Sequence, residues 1–126
     1  MATLGIGVDI VALSRIEEAL SRREGFLDRI YTPAERVACE GLADSTRIAR
    51  LAARFAAKEA FYKALGPAQK GLSWQDVGVE SDGESQPRLV PSARAQAALE
   101  KLGATRVHLS LSHDGGVAIA MVLIEN

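Results

Sequence analysis

A single cysteine, Cys39, excludes an internal disulfide and any zinc site built from several thiolates. The two histidines, His108 and His113, stand in neither HExxH nor Cys/His spacing. No G-x-x-x-x-G-K-[ST] segment occurs, and GIGVDI lacks the third glycine and the following helix of a dinucleotide fingerprint. No run approaches the ~18 uninterrupted apolar residues of a membrane span. Charge of one sign is also missing: fifteen Lys and Arg against sixteen Asp and Glu leave a net charge of −1. That balance offers no overall attraction to nucleic acid or anionic membrane, and neither is expected as a partner. MATLGIGVDIV lacks the basic n-region of a secretory signal, so a soluble, cytoplasmic protein is expected, with Cys39 a passive helix residue. Internal repeats and low-complexity linkers are absent as well.

What is present is an average globular composition, 48% apolar and 25% charged, in 126 residues. That length makes a single domain, 1–126, with a real core but no separate substrate domain. Further pocket walls would have to come from other subunits.

Leu4, Ile6, Val8 and Ile10 alternate with Gly5, Gly7 and Asp9, which predicts a strand whose apolar side reads as core. Two short helices should follow, one opened by a capping box at Ser14 and Glu17, the other by Thr32 and Glu35 with Pro33 at its first turn. A long helix is expected from Asp44 or Ser45 to Gly66, where Gly-Pro stops it. VGVESDGESQPRLV reads as two strands around a polar turn, and PSARAQAALEKLG as a helix capped by Ser92 and ended at Gly103. RVHLSLSHDGGVAIAMVLIE is a hairpin turning at Asp-Gly-Gly. Its closing strand, 117–124, is apolar on both faces, as a central strand would be. The fold class is therefore α+β, an antiparallel sheet packed against a long central helix.

Within that helix the stretch RFAAKEAFYKALG raises a question. At about 100° per residue, Ile48, Phe55 and Tyr62 share a stripe, and Glu59 falls in its middle. Glu59 could sit at a rim or pair with Lys63 four residues on; pointing inward, it needs a cation. Asp9 is a second anomaly, since Asp is disfavoured in strands, and the two glycines beside it leave a surface free of side chains. If Asp9, Glu59 and Lys63 converge, two hard carboxylates suit Mg²⁺ and the lysine suits a phosphate oxygen. The same residues would also serve a Mg²⁺-dependent nucleotide hydrolase, or no enzyme at all if Glu59 and Lys63 merely pair.

GIGVDIVALSRIE, RFAAKEAFYKALG and LSLSHD, in this order and at these separations, resemble the motifs of the small holo-acyl-carrier-protein synthases of the 4′-phosphopantetheinyl transferase superfamily. The resemblance runs over nearly the whole chain, and Phe55, where larger relatives tend to carry tryptophan, fits the single-domain branch. It implies Mg²⁺-dependent transfer of 4′-phosphopantetheine from coenzyme A to a serine of apo acyl carrier protein. Adenosine 3′,5′-bisphosphate would be released, in support of fatty-acid or polyketide synthesis. By analogy Asp9 and Glu59 are the metal ligands, Glu59 is a candidate general base, and Lys63 steadies the departing phosphate. Analogy also sets His113, Arg54 and Arg47 near the coenzyme A phosphates, and turns Arg15, with Arg22 and Arg23 beside it, toward an acidic carrier helix. Family members of this size are homotrimers with coenzyme A between subunits.

Overall fold

The computed structural model describes residues 1–81 and 86–126. Strand β1 (Thr3–Ala12) runs directly into helix α1 (Leu13–Arg22), and the short helices α2 (Phe26–Ile30) and α3 (Pro33–Cys39) lead to the long helix α4 (Asp44–Leu65). Two 3-10 turns, Gly66–Gln69 and Trp74–Asp76, are followed by β2 (Val77–Glu80) and β3 (Arg88–Pro91). Helix α5 (Ala93–Leu102) and the hairpin of β4 (Arg106–Asp114) and β5 (Val117–Glu125) complete the chain. The main sheet is antiparallel in the order β1-β5-β4, so the closing strand is central as expected. A two-stranded ribbon, β2-β3, stands apart; the turn predicted between its strands, 82–85, lies outside the described residues.

Local signals explain most boundaries. Thr32 Oγ1 accepts from Glu35 N–H at 3.2 Å while Glu35 Oε1 accepts from Thr32 N–H at 2.9 Å, the reciprocal box the sequence predicts for α3. Ser92 caps α5, and Gly103 ends it in the left-handed region at φ 86°. The box expected at Ser14 does not form. Helix α1 starts earlier, after Ala12, with no side-chain cap, and Leu13 N–H is bonded to Gly116 O at 2.9 Å. Helix α2 was not foreseen; it is a five-residue turn seated on Phe26 and Ile30, both buried.

Two expectations about faces change. From Leu51 to Lys58 every residue of α4 is buried, so this helix is enclosed on all sides rather than dry along one stripe. Strand β1 lies on α4 through its glycines. A Cβ on Gly5 would stand 2.0 Å from Ala64 O, and one on Gly7 only 1.9 Å from Ala60 O. Backbone meets backbone there. The face that packs is thus the one with Gly5, Gly7, Asp9 and Val11, and the apolar face read as core looks outward: Ile6, Val8 and Ile10 are 61%, 50% and 61% exposed. Ile119 and Met121 of β5 pair with Ile10 and Val8 and extend the exposed face. Among the described residues no helix is long and apolar enough to cross a membrane.

Candidate active site

The β1–α4 contact determines where Asp9 goes. With no side chain at Gly7, Asp9 is carried close against α4, where Lys63 Nζ donates to Asp9 Oδ1 and to Val8 O, each at 3.1 Å. Glu59 sits one turn earlier on α4 and is partly buried. Burial first, and then the negative charge of Asp9, push the Glu59 carboxyl above its ordinary range, while Lys63 and Arg15 pull the other way. Asp9, Glu59 and Lys63 therefore converge. The Glu59–Lys63 pair that position alone allows does not close, since Lys63 turns to Asp9, and no ion pair neutralises Glu59 among the described residues.

A partly buried carboxylate whose proton affinity is raised by a second carboxylate beside it calls for a cation. No group of three or more His, Cys, Asp or Glu suited to a metal occurs among the described residues. Mg²⁺ keeps most of its water and takes one or two protein carboxylates with substrate phosphate. Asp9 and Glu59 fit that donor set.

A cavity of about 520 Å³ opens beside Glu59 and is shared by Arg15, Arg22, Arg23, Phe55 and Trp74. The Arg15 guanidinium carbon lies 5.6 Å from the Phe55 ring centre, and Phe55 stacks on Trp74 at 5.2 Å. Arg22 is exposed and paired with Glu18 at 2.7 Å. Arg29 also lines this cavity; its position, on a helix that sequence reasoning missed, left no signal to find it by.

The remaining predicted residues lie elsewhere. Arg54 and His113 line a second cavity of about 530 Å³ together with Arg50 and Ser112. Around α4, Arg54 is about 140° from Glu59 and about 180° from Lys63, and all of β5 lies between His113 on β4 and Asp9 on β1. One chain thus holds two cavities on opposite flanks of the same helix. Arg54 is only 7% exposed; its Nη1 reaches Arg50 O at 3.5 Å, and its Nε is buried with no partner among the described residues. An orphaned cationic donor of that kind marks a place for an anion. Arg47 does not line this cavity; its charge only weakly opposes the rise that burial causes at Tyr31 and Cys39. Arg50 does line it, and its i, i+4 spacing to Arg54 was the signal that could have found it.

A family profile described as the 4′-phosphopantetheinyl transferase superfamily matches residues 5–122, and the chain belongs to that superfamily. Its branch is that of the holo-(acyl-carrier-protein) synthases. Such a synthase from Anaeromyxobacter dehalogenans is 48% identical, covering 97% of this chain and 95% of its own. One from Frankia alni is 49% identical over the full length of both. Among solved structures, the synthase of Bacillus anthracis in complex with CoA (3′,5′-ADP) superposes with a TM-score of 0.79 at 38% identity, covering 97% of this chain and 96% of that one. The Neisseria meningitidis synthase gives 0.85 at 34%, covering 99% and 100%.

Proposed function

We propose that this enzyme transfers 4′-phosphopantetheine from coenzyme A to a serine hydroxyl of an apo acyl carrier protein, with Mg²⁺, and releases adenosine 3′,5′-bisphosphate. The observation that carries the reading is the convergence of Asp9, Glu59 and Lys63 in a chain of this family. In the reaction the carrier serine oxygen forms a bond to the phosphorus bearing the pantetheine arm. The bond from that phosphorus to the bridging oxygen breaks, and the nucleotide leaves with the electron pair. Glu59, directly or through a water, would receive the serine proton. Lys63, its side chain half exposed and anchored on Asp9 and Val8 O, can present its charge to the departing phosphate. Asp9 and Glu59 would hold Mg²⁺, which supplies charge neutralisation across the pyrophosphate.

Arg15 and Arg22, on one helix and lining the cavity that contains Glu59, suit an acidic carrier helix docking there. Arg54, whose buried Nε has no partner among the described residues, suits the nucleotide phosphates together with Arg50 and His113. Because the two cavities lie on opposite flanks of α4, a complete site would combine one flank of each of two chains. The outward face of Ile6, Val8, Ile10, Ile119 and Met121 supports a homotrimer that buries it.

The test is the intact mass of an apo acyl carrier protein after incubation with this protein, coenzyme A and Mg²⁺. A gain of about 340 Da is expected, absent with EDTA and absent on a carrier with serine replaced by alanine. No gain on any of several carriers would refute the reading. Nucleotide hydrolysis without a carrier would point to the hydrolase instead.

A further inference from the structure

Residue 58 immediately precedes Glu59, and its charge is used for neither metal nor phosphate. The Lys58 side chain is wholly buried, as is that of its partner Glu35. The ammonium has three protons and three close acceptors: Glu35 Oε1 at 2.7 Å, Val77 O at 2.6 Å and Trp74 O at 3.1 Å. Glu35 is equally occupied, since Oε1 also accepts from Thr32 N–H at 2.9 Å and Oε2 from Val79 N–H at 3.0 Å. One ion pair therefore ties α4 to the start of α3, to β2 and to the turn carrying Trp74.

A buried ion pair is seldom more stabilising than apolar side chains of the same volume, because desolvating two charges is costly. What it adds over apolar packing is direction: each bond has a defined length and angle. The direction matters most at Trp74. Its carbonyl is bonded to Lys58, and its ring stacks on Phe55, the ring beside which Arg15 rests. Trp74, Phe55, Arg15 and Glu59 line the same cavity. Lys58 and Glu59 are successive residues of a rigid helix, so bonding the Trp74 carbonyl to Lys58 places the aromatic wall at a constant offset from Glu59.

We propose that Lys58 and Glu35 are a positioning pair that sets the Phe55–Trp74 wall, and with it Arg15, relative to Glu59, and so governs how well the carrier protein engages. This rests on the reading above that the carrier docks in that cavity. The pair touches neither substrate nor metal, and its effect falls on KM for the carrier rather than on the chemical step.

The test compares the full-length wild type with the double variant Lys58→Met/Glu35→Gln, which leaves no uncompensated buried charge and releases the Trp74 carbonyl. Trp74 is the chain's one tryptophan, so its emission reports on the wall directly. With Mg²⁺, coenzyme A and apo carrier, the folded variant is expected to show red-shifted Trp emission and a KM for carrier raised about tenfold, with kcat and the KM for coenzyme A nearly unchanged. Should circular dichroism show it unfolded, Trp74→Leu, which removes the ring and keeps the backbone, must reproduce the rise in carrier KM. Wild-type carrier KM in whichever variant is folded, or a lower kcat at constant KM, overturns the proposal. If the wild type itself modifies no carrier, the docking reading fails and takes this proposal with it. Transfer that continues at unchanged carrier KM overturns the positioning role alone.

Discussion

Glu59 is the residue on which sequence and structure press hardest. A carboxyl whose folded proton affinity is raised stabilises the fold only while it is protonated; that contribution is complete below the ordinary value of 4.5 and is lost as pH rises through the elevated folded one. At neutral pH the ionised group, beside Asp9 and partly desolvated, is therefore a cost to the metal-free protein. Glu59→Gln should melt at a higher temperature than wild type near pH 7 without metal, and the gap should close below about pH 4, where both side chains are neutral. Added Mg²⁺ should raise the melting temperature of the wild type and leave the variant unmoved. Turnover in Glu59→Gln should drop by a factor of about 10² to 10⁴, the usual worth of a positioned acid or base. Calorimetry across pH, with and without Mg²⁺, checks the first part, and carrier mass shift over time checks the second. Lys63→Ala should fold normally, because its side chain is 54% exposed, and lose roughly 10²-fold in kcat through the missing charge.

At the scale of the element, the decisive contact is β1 on α4. Ala60 and Ala64 on the helix, Gly5 and Gly7 on the strand, are the small residues that let two backbones touch. Gly7→Ala would place a methyl 1.9 Å from Ala60 O, and main chain cannot yield as a flexible side chain does. We expect a loss of about 3 kcal/mol and a melting temperature lower by roughly 10 °C. Since the same displacement moves Asp9 away from Lys63 and Glu59, surviving folded protein should also bind Mg²⁺ more weakly, which titration calorimetry would register. Unaltered stability in Gly7→Ala would mean that the strand stands further from the helix than the glycines indicate. These two glycines were readable as a surface lacking side chains. That α4 would fill it was not, because alternation along a strand reveals its two faces but not what each one meets.

For the whole molecule, the open sheet face and the proposed shared site lead to one prediction. Ile6→Glu with Met121→Glu puts charge on the outward apolar face, where burial against another copy would leave it unpaired. The variant should sediment at the mass of one chain, retain its helical circular dichroism, and lose nearly all transfer, because Asp9, Glu59 and Lys63 would be separated from the Arg54 and His113 half-site. A single-chain variant with wild-type turnover would refute the shared site. The sequence argument from size, that 126 residues leave pocket walls to other subunits, meets this prediction from the other side.

By itself the sequence determined the class of fold, the long helix and the final hairpin, and it singled out Asp9, Glu59 and Lys63 without bringing them together. Capping, glycine stops and alternation act over a few neighbours and can be read from them, and the motifs lie at fixed places along those elements. Only the tertiary structure decided which face of β1 is core, that Lys63 answers Asp9 rather than Glu59, that Arg50 and not Arg47 joins Arg54, and that Lys58 is locked to Glu35. Each of those outcomes depends on how one element is rotated and how closely it packs against another. Rotation and distance arise from contacts between residues far apart in the chain, and no local pattern contains them.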